Sequence, residues 1–321
     1  VTAVSQALLC MSHSPLLDHA NPPADVKAAV DAAFEHARTF VHDFDPDLVV
    51  NFGPDHFNGF FYDMMPPFCL GLAAHGVGDY DSYDGELDVP TALAEDLAQF
   101  VADREIDLTI SRRMEVDHGA VQPMEILYDG NAAAKPVLPI FVNSVARPFV
   151  PVSRIRKLGQ AIGEYFAALD KRVLFIGSGG LSHDPPVPQW VTANEPQREF
   201  LTAGRHPTPE FRANRQAGTI ETARRFAAGE ADIMDLNPEW DRGFLAVCRS
   251  GKVDDFDRYT ADDMDATAGH SSHEVRTWVG AYSAMRACGE YELTYEFYKP
   301  IKEYIAGFAV TTAVMREPAG A

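Results

Sequence analysis

The sequence predicts an α/β protein: a single domain over residues 1–321, with a central, mostly parallel sheet flanked by helices and a helical elaboration in the C-terminal half. Three observations predict it. Short, near-continuous apolar runs recur along the chain, as in strands covered on both faces. Longer stretches with apolar residues at helical spacing separate them. No repeat at a period of 20–50 residues and no low-complexity segment points to a solenoid or a disordered chain.

Taken in order, residues 7–11 (Ala-Leu-Leu-Cys-Met) form the first strand candidate. A helix follows over residues 24–41, because Val26, Val30, Ala33, Phe34, Ala37 and Val41 share one face. Residues 48–52 are the next strand. A second helix covers residues 90–101, starting at Pro90 or Thr91. Residues 108–110, 137–142 and 173–176 are further strands. A third helix, over residues 152–169, has Ser153 as its expected N-cap. From Asp184 to about Asp265 the texture changes. Asp184-Pro185-Pro186-Val187-Pro188 cannot be helix. The polar helical stretches after it are broken by His206-Pro207-Thr208-Pro209 and Leu236-Asn237-Pro238. Residues 184–265 are therefore expected to be a helical elaboration or lid on the same domain. Val275, Trp278, Val279, Tyr282 and Met285 return to helical spacing, so a helix begins near Ser271.

Composition excludes several classes. Against 27 Lys and Arg stand 47 Asp and Glu, a net charge of −20, and such a field repels polyphosphate. The densest basic run, Arg154-Ile155-Arg156-Lys157, is a solvated helix face, so nucleic acid is not an expected partner. A small anionic substrate stays open, because a few local cations override the net field. The apolar runs are far short of the ~20 residues of a membrane-spanning helix. Val1-Thr2-Ala3-Val4-Ser5-Gln6 lacks a basic leader region, and residues 7–11 are too short for the apolar core of a signal peptide. Cys10, Cys69, Cys248 and Cys288 form no CxxC pair and no zinc-ribbon spacing. A reduced, cytoplasmic protein without a membrane partner is the expectation.

The histidines carry the chemistry. His13, His56, His118 and His183 each fall in a loop soon after a predicted strand: after residues 7–11, 48–52, 108–110 and 173–176. The carboxyl ends of parallel strands share one edge, where ligands bind. Four histidines distant in sequence would therefore converge. Glycines and small residues beside three of them allow close backbone approach to a ligand. His19, His36, His42, His75, His206 and His270 are expected to be solvated, and His273 flanks the next helix. Clustered imidazoles bind a borderline metal or move protons. A catalytic metal usually also needs a carboxylate. Glu274 is the candidate, but Ser271-x-x-Glu274 is equally a capping-box pattern, in which Glu274 would satisfy a backbone N–H. Asp55 and Asp117 compete as ligands, or else orient the neighbouring imidazoles.

Other motifs fail. Gly177-Ser178-Gly179-Gly180 lacks the third glycine of a dinucleotide fingerprint, and the prolines after it prevent the helix that fingerprint needs. There is no GxxxxGK[ST], no GxSxG around Ser178 and no HExxH.

Six stretches together resemble the class III (LigB-type) extradiol ring-cleavage dioxygenases. They are Ser12-His13-Ser14-Pro15-Leu16, Pro54-Asp55-His56-Phe57-Asn58-Gly59-Phe60-Phe61-Tyr62, Met65-Pro66-Pro67-Phe68-Cys69-Leu70-Gly71, Val116-Asp117-His118-Gly119, Gly177 to His183, and Ser272-His273-Glu274-Val275-Arg276-Thr277-Trp278. They span nearly the whole chain in the family's order. The resemblance implies a single catalytic domain in which His13, His56 and Glu274 hold Fe(II), a two-histidine-one-carboxylate set. It implies that His118 is the proton donor and His183 the proton acceptor, with Asp117 a candidate for keeping His118 protonated. It also implies a homo-oligomer that uses O₂ to open a catechol ring beside the diol. The branch it is most similar to acts on catechols with a carboxyethyl or carboxyvinyl arm, 3-(2,3-dihydroxyphenyl)propionate and 2,3-dihydroxycinnamate. A zinc-dependent hydrolase, or a non-catalytic metal-binding protein on the same scaffold, is the alternative. Arg112, Arg113, Arg276 and Lys299 are candidates for the substrate carboxylate. Phe60, Phe61, Tyr62, Met64, Met65 and Phe68 either line an aromatic pocket or pack in the core.

Overall fold

The computed structural model describes residues 6–316. The chain opens with strand β1 (Gln6–Met11), helix α1 (Ala24–Phe44) and β2 (Leu48–Gly53). Three short strands follow, β3 (Phe68–Gly71), β4 (Ala74–Val77) and β5 (Asp84–Glu86), then α2 (Thr91–Ala102). β6 (Thr109–Ser111) and β7 (Met114–Val116) lead into α3 (His118–Leu127). Next come β8 (Val137–Val142), α4 (Val152–Ala167) and β9 (Val173–Ser178). Helices α5 (Glu195–Ala203), α6 (Pro209–Ala227), α7 (Pro238–Ser250) and α8 (Ala261–Ala268) succeed one another with no strand between them. The order ends with α9 (Val275–Cys288), β10 (Tyr291–Ile301) and β11 (Ala306–Met315). Val1 to Ser5, read above against a secretory leader, lie outside the described residues.

The large sheet has the order β10-β11-β1-β9-β2-β8-β3-β6. Its four central strands, β1, β9, β2 and β8, run parallel, as their unbroken apolar runs predict. The edges depart from that pattern. β11 and β10 add antiparallel beside β1, and β3 lies antiparallel to β8 with β6 parallel beyond it. Side chains alternate between two cores. Leu8, Cys10, Val50, Phe52 and Phe175 face one, with α2, α4 and α9. Ala7, Leu9, Met11, Val49 and Ile176 face the other, with α1 and α3. A second sheet, β5-β4-β7, adds Ala74, Met114 and Val116 to the second core.

Several expectations are corrected. Ser153 does not cap α4. The N-cap is Pro151, and Ser153 lies inside the helix. The strand expected over residues 108–110 is β6, a sheet edge at which Ile110 is exposed. In the segment after Asp184, the proline breaks are helix starts. Pro209 and Pro238 open α6 and α7, where a missing N–H costs nothing. The side chains of Thr208 and Asn237 cap those helices on Phe211 N and Trp240 N. No helix among the described residues is long and apolar enough to cross a membrane.

Helix α9 is placed by close packing against α4. A Cβ on Gly159 would lie 2.3 Å from Gly280 O, and one on Gly163 2.1 Å from Ala284 O. At the sheet edge, a Cβ on Gly179 would lie 2.6 Å from the Cβ of Glu274. These glycines let the start of α9 rest against the end of β9. An alanine normally favours a helix over glycine by about 1 kcal/mol. Gly163→Ala should instead destabilise the protein by about 1–3 kcal/mol through overpacking, read as a lower urea midpoint. A neutral or stabilising result would show that the two helices do not meet this closely.

Candidate metal and proton-transfer site

The register of the central strands brings three histidines to one edge. Met11 is opposite Ser178 and Phe52 opposite Gly177, so the loops after β1, β9 and β2 start side by side. His13, His56 and His183 lie in those loops, all buried. His118 arrives by another route. It follows β7 of the small sheet and opens α3, where Asp117 is the N-cap and accepts from Gly119 N. The expected delivery from residues 108–110 is thus replaced by a strand too short and mixed to recognise. Glu274 closes a 3₁₀ turn, Ser272–Glu274, that runs into α9. Ser271 makes no side-chain cap there. The capping-box alternative fails because the Glu274 carboxylate points among the imidazoles.

The hydrogen bonds orient each ring. Ser178 Oγ donates to Gly119 O at 2.5 Å, so its lone pair accepts from His13 Nδ1 at 2.9 Å. His56 Nδ1 donates to Asp117 Oδ2 at 3.0 Å, and His183 Nδ1 to Leu181 O at 2.8 Å. All three rings therefore present Nε2 inward. Glu274 Oε1 lies 3.0 Å from Nε2 of both His56 and His183, and Oε2 lies 3.4 Å from Nε2 of His13. Oε2 also accepts from Gly180 N at 2.8 Å.

Lone pairs facing a carboxylate repel unless a proton or a metal cation lies between them. The titration behaviour expresses this demand. Burial would raise the Glu274 carboxyl, but the imidazoles, His183 and His13 foremost, hold it well below the carboxylate range. Burial opposes charge on His56, yet Asp117 and then Glu274 raise it well above the ordinary imidazole value. His183 is raised likewise, Glu274 outweighing burial. On His13 burial wins and pushes the ring down to about 3. Imidazole nitrogens with a carboxylate oxygen suit a borderline divalent metal. The ligand atoms of His13, His56 and His118 also lie within 4.8 Å of one another.

The aspartates divide their roles. Asp117 serves His56, not His118 as its place in sequence suggested. His118 is held by Asp79, whose Oδ1 accepts from His118 N at 2.8 Å and whose Oδ2 accepts from Nδ1 at 2.5 Å. Sequence reasoning missed Asp79. It lies between β4 and β5, whose sequences Ala-His-Gly-Val and Asp-Gly-Glu carry little strand signal. Asn58 Nδ2 joins the two orienting carboxylates, donating to Asp117 at 2.9 Å and Asp79 at 3.4 Å. Asp55 is no rival ligand. Its oxygens accept from the backbone N–H groups of Asn58, Gly59 and Phe60. His273 is buried against Asp265 and Arg276 outside the cluster, and His36, expected in solvent, stacks on Tyr295.

His13, His56, His118, His183 and Glu274 line a cavity of about 520 Å³ whose other walls include residues 185–188, α5 and α6. None of the expected carboxylate-binding cations reaches it. Arg112 pairs with Glu95 in solvent, and Arg276 is buried, bonded to Val150 O. Of the two readings of the aromatic stretch, core packing holds for Phe61 and Phe68. Met64 is exposed, and Phe57, Tyr80, Phe200 and Phe211 line the cavity instead.

Residues 7–315 match the model of the catalytic LigB subunit of aromatic ring-opening dioxygenase. A relative from Rhodococcus rhodochrous, named 2,3-dihydroxyphenylpropionate/2,3-dihydroxicinnamic acid 1,2-dioxygenase, is 76% identical over 97% of this chain and 98% of its own. One of the same name from Rhodococcus globerulus is 73% identical over 98% of this chain and 100% of its own. An uncharacterized protein from Escherichia coli K12 has a similar fold, with a TM-score of 0.50 and 13% identity over 95% of this chain and 98% of that one.

Asp79→Ala strips His118 of both its recorded hydrogen-bond partners. It should cost about 1.5–3 kcal/mol in urea unfolding, as for hydrogen bonds to a charged group. A change within about 0.5 kcal/mol, the usual range for uninvolved surface sites, would show that His118 keeps its place unaided.

Proposed function

The chain belongs to the LigB family of aromatic ring-opening dioxygenases, and from that premise we propose that it is an Fe(II) enzyme cleaving 3-(2,3-dihydroxyphenyl)propionate and 2,3-dihydroxycinnamate beside the diol. The substrates follow the names of the relatives that are 76% and 73% identical. The single observation behind the metal assignment is the buried Glu274 carboxylate against the inward Nε2 atoms of His13 and His56. Glu274 takes the third ligand place ahead of His118, because its oxygens lie 3.0 Å and 3.4 Å from the inward Nε2 atoms of His56 and His13 and a carboxylate buried there is stabilised by a bound cation.

The bound metal supplies Lewis acidity towards the catechol oxygens and electronic access to O₂. The chain supplies the proton transfers. With Glu274 engaged as a ligand, His183 keeps only a neutral partner, the Leu181 carbonyl on Nδ1. Its Nε2 is then a free base, placed to take a catechol hydroxyl proton as substrate seats. His118 has the opposite environment. The Asp79 carboxylate accepts from its Nδ1 and fixes the ring, and His118 is assigned the hand-over of a proton to oxygen as the ring opens. Both atoms of O₂ enter the product, 2-hydroxy-6-oxonona-2,4-diene-1,9-dioate from the propionate substrate. A cytoplasmic homo-oligomer completes the proposal. Four unpaired thiols, three of them buried, suit a reducing compartment.

The test is to load metal-free protein with Fe(II) without oxygen, add 3-(2,3-dihydroxyphenyl)propionate, then admit O₂. A yellow ring-fission chromophore with stoichiometric O₂ uptake is expected. No colour and no uptake from fully loaded protein would overturn the proposal. His13→Ala, His56→Ala and Glu274→Ala should lose iron on gel filtration, and full occupancy in Glu274→Ala would remove it from the ligand set. His118→Ala and His183→Ala should retain iron and lose about 10²–10⁴-fold in ring opening, the usual worth of a placed acid or base.

A further inference from the structure

We infer that Arg215 receives the carboxylate of the substrate's side arm and so selects catechols that carry an acidic arm. This rests on the catechol reading above, but the evidence for Arg215 is its own. Among the described residues it is the only Lys or Arg that lines the cavity. It projects from the middle of α6, a helix that supplies part of the wall away from the sheet edge.

The guanidinium is half-buried and has no carboxylate within ion-pair distance among the described residues. Its recorded partners are all neutral: His56 O from Nη2, Phe57 O from Nη1 at 3.3 Å, and Asn58 Oδ1 from Nη1 at 3.5 Å. Buried and partly buried charges are normally paired. By contrast Arg147, Arg156 and Arg172 each hold two aspartates. Among the described residues no acceptor is bonded to Arg215 Nε. In a guanidinium the Nε–H and one Nη2–H lie parallel along one edge, the fork that matches a carboxylate. The group is also fixed in advance. It rests over the Phe200 ring at 5.0 Å, and its Nη atoms are tied to the loop that carries His56. In a chain of net charge −20, this cation gives the cavity the local positive field a dianionic product or anionic substrate needs.

The competing role is a clamp that holds α6 to the His56 loop. Two readouts separate them. The first is direct binding of 3-phenylpropionate, which has the acidic arm and no diol, by titration calorimetry. Arg215→Gln should weaken it about 10–100-fold, the range of a charge-assisted hydrogen bond, and Arg215→Lys should restore part of that loss. The second is turnover of 3-(2,3-dihydroxyphenyl)propionate against 3-propylcatechol, which matches the arm without its charge. In Arg215→Gln, KM for the acid should rise about 10–100-fold, with kcat changed far less, so the preference for the acid over propylcatechol collapses. Equal losses on both catechols, or unchanged 3-phenylpropionate binding, would make Arg215 a clamp and overturn the inference. Arg215→Lys guards against a Gln variant that fails to fold. If wild-type protein cleaves neither catechol, the proposed function fails, and 3-phenylpropionate binding still decides the role of Arg215.

Discussion

A buried carboxylate facing three inward imidazole nitrogens is the constraint around which this protein is built. Glu274 is 2% exposed, and no Lys or Arg approaches it within ion-pair distance among the described residues. A charge so placed is costly unless it is neutralised by another. The Nδ1 protons of His13, His56 and His183 are committed to Ser178, Asp117 and Leu181. The centre of the cluster is therefore short of one positive charge or more. The parallel register of β1, β9 and β2 brings the rings there, and the α4–α9 contact through Gly159 and Gly163 brings the carboxylate.

Around that centre stands a second ring of acceptors, and its charges are unequal. Asp117 and Asp79 are carboxylates, whereas Ser178 and the Leu181 carbonyl are neutral. Four chemically identical side chains thereby stand in different settings. Asn58 ties the two carboxylates together, so the loop after β2 braces both of the histidines that stack at 4.5 Å, His56 and His118.

The helices of residues 184–265 are not a detached cap. Ser182 bonds to Asp241 of α7 through both N–H and Oγ, and Arg215 of α6 bonds to the carbonyls of His56 and Phe57. The wall of the cavity and the histidine loops thus share hydrogen bonds.

The sequence by itself determined the central layers and the identity of the chemical groups. Unbroken apolar runs such as Val137 to Val142 can only be satisfied with both faces covered, and they became the core strands. His13, His56 and His183 could be picked out because each follows the end of a core strand with a strong local signal, whereas His118 follows β7, which carries none. Only the tertiary structure decided which partner each group has. Asp79 acts on His118 from 39 residues away, and its flanking strands are too short and glycine-containing to show a period. Strands β3, β10 and β11 also escaped notice, and for the edge strand β10 the reason is plain. β10 is half-exposed, and its polar face dilutes the apolar run. Glu274 remained ambiguous between cap and ligand, since both use the same residue at the same helix start. The close approach permitted by Gly179 rules out the cap, because it sets the carboxylate among nitrogens contributed by three separate loops, a placement no local pattern encodes.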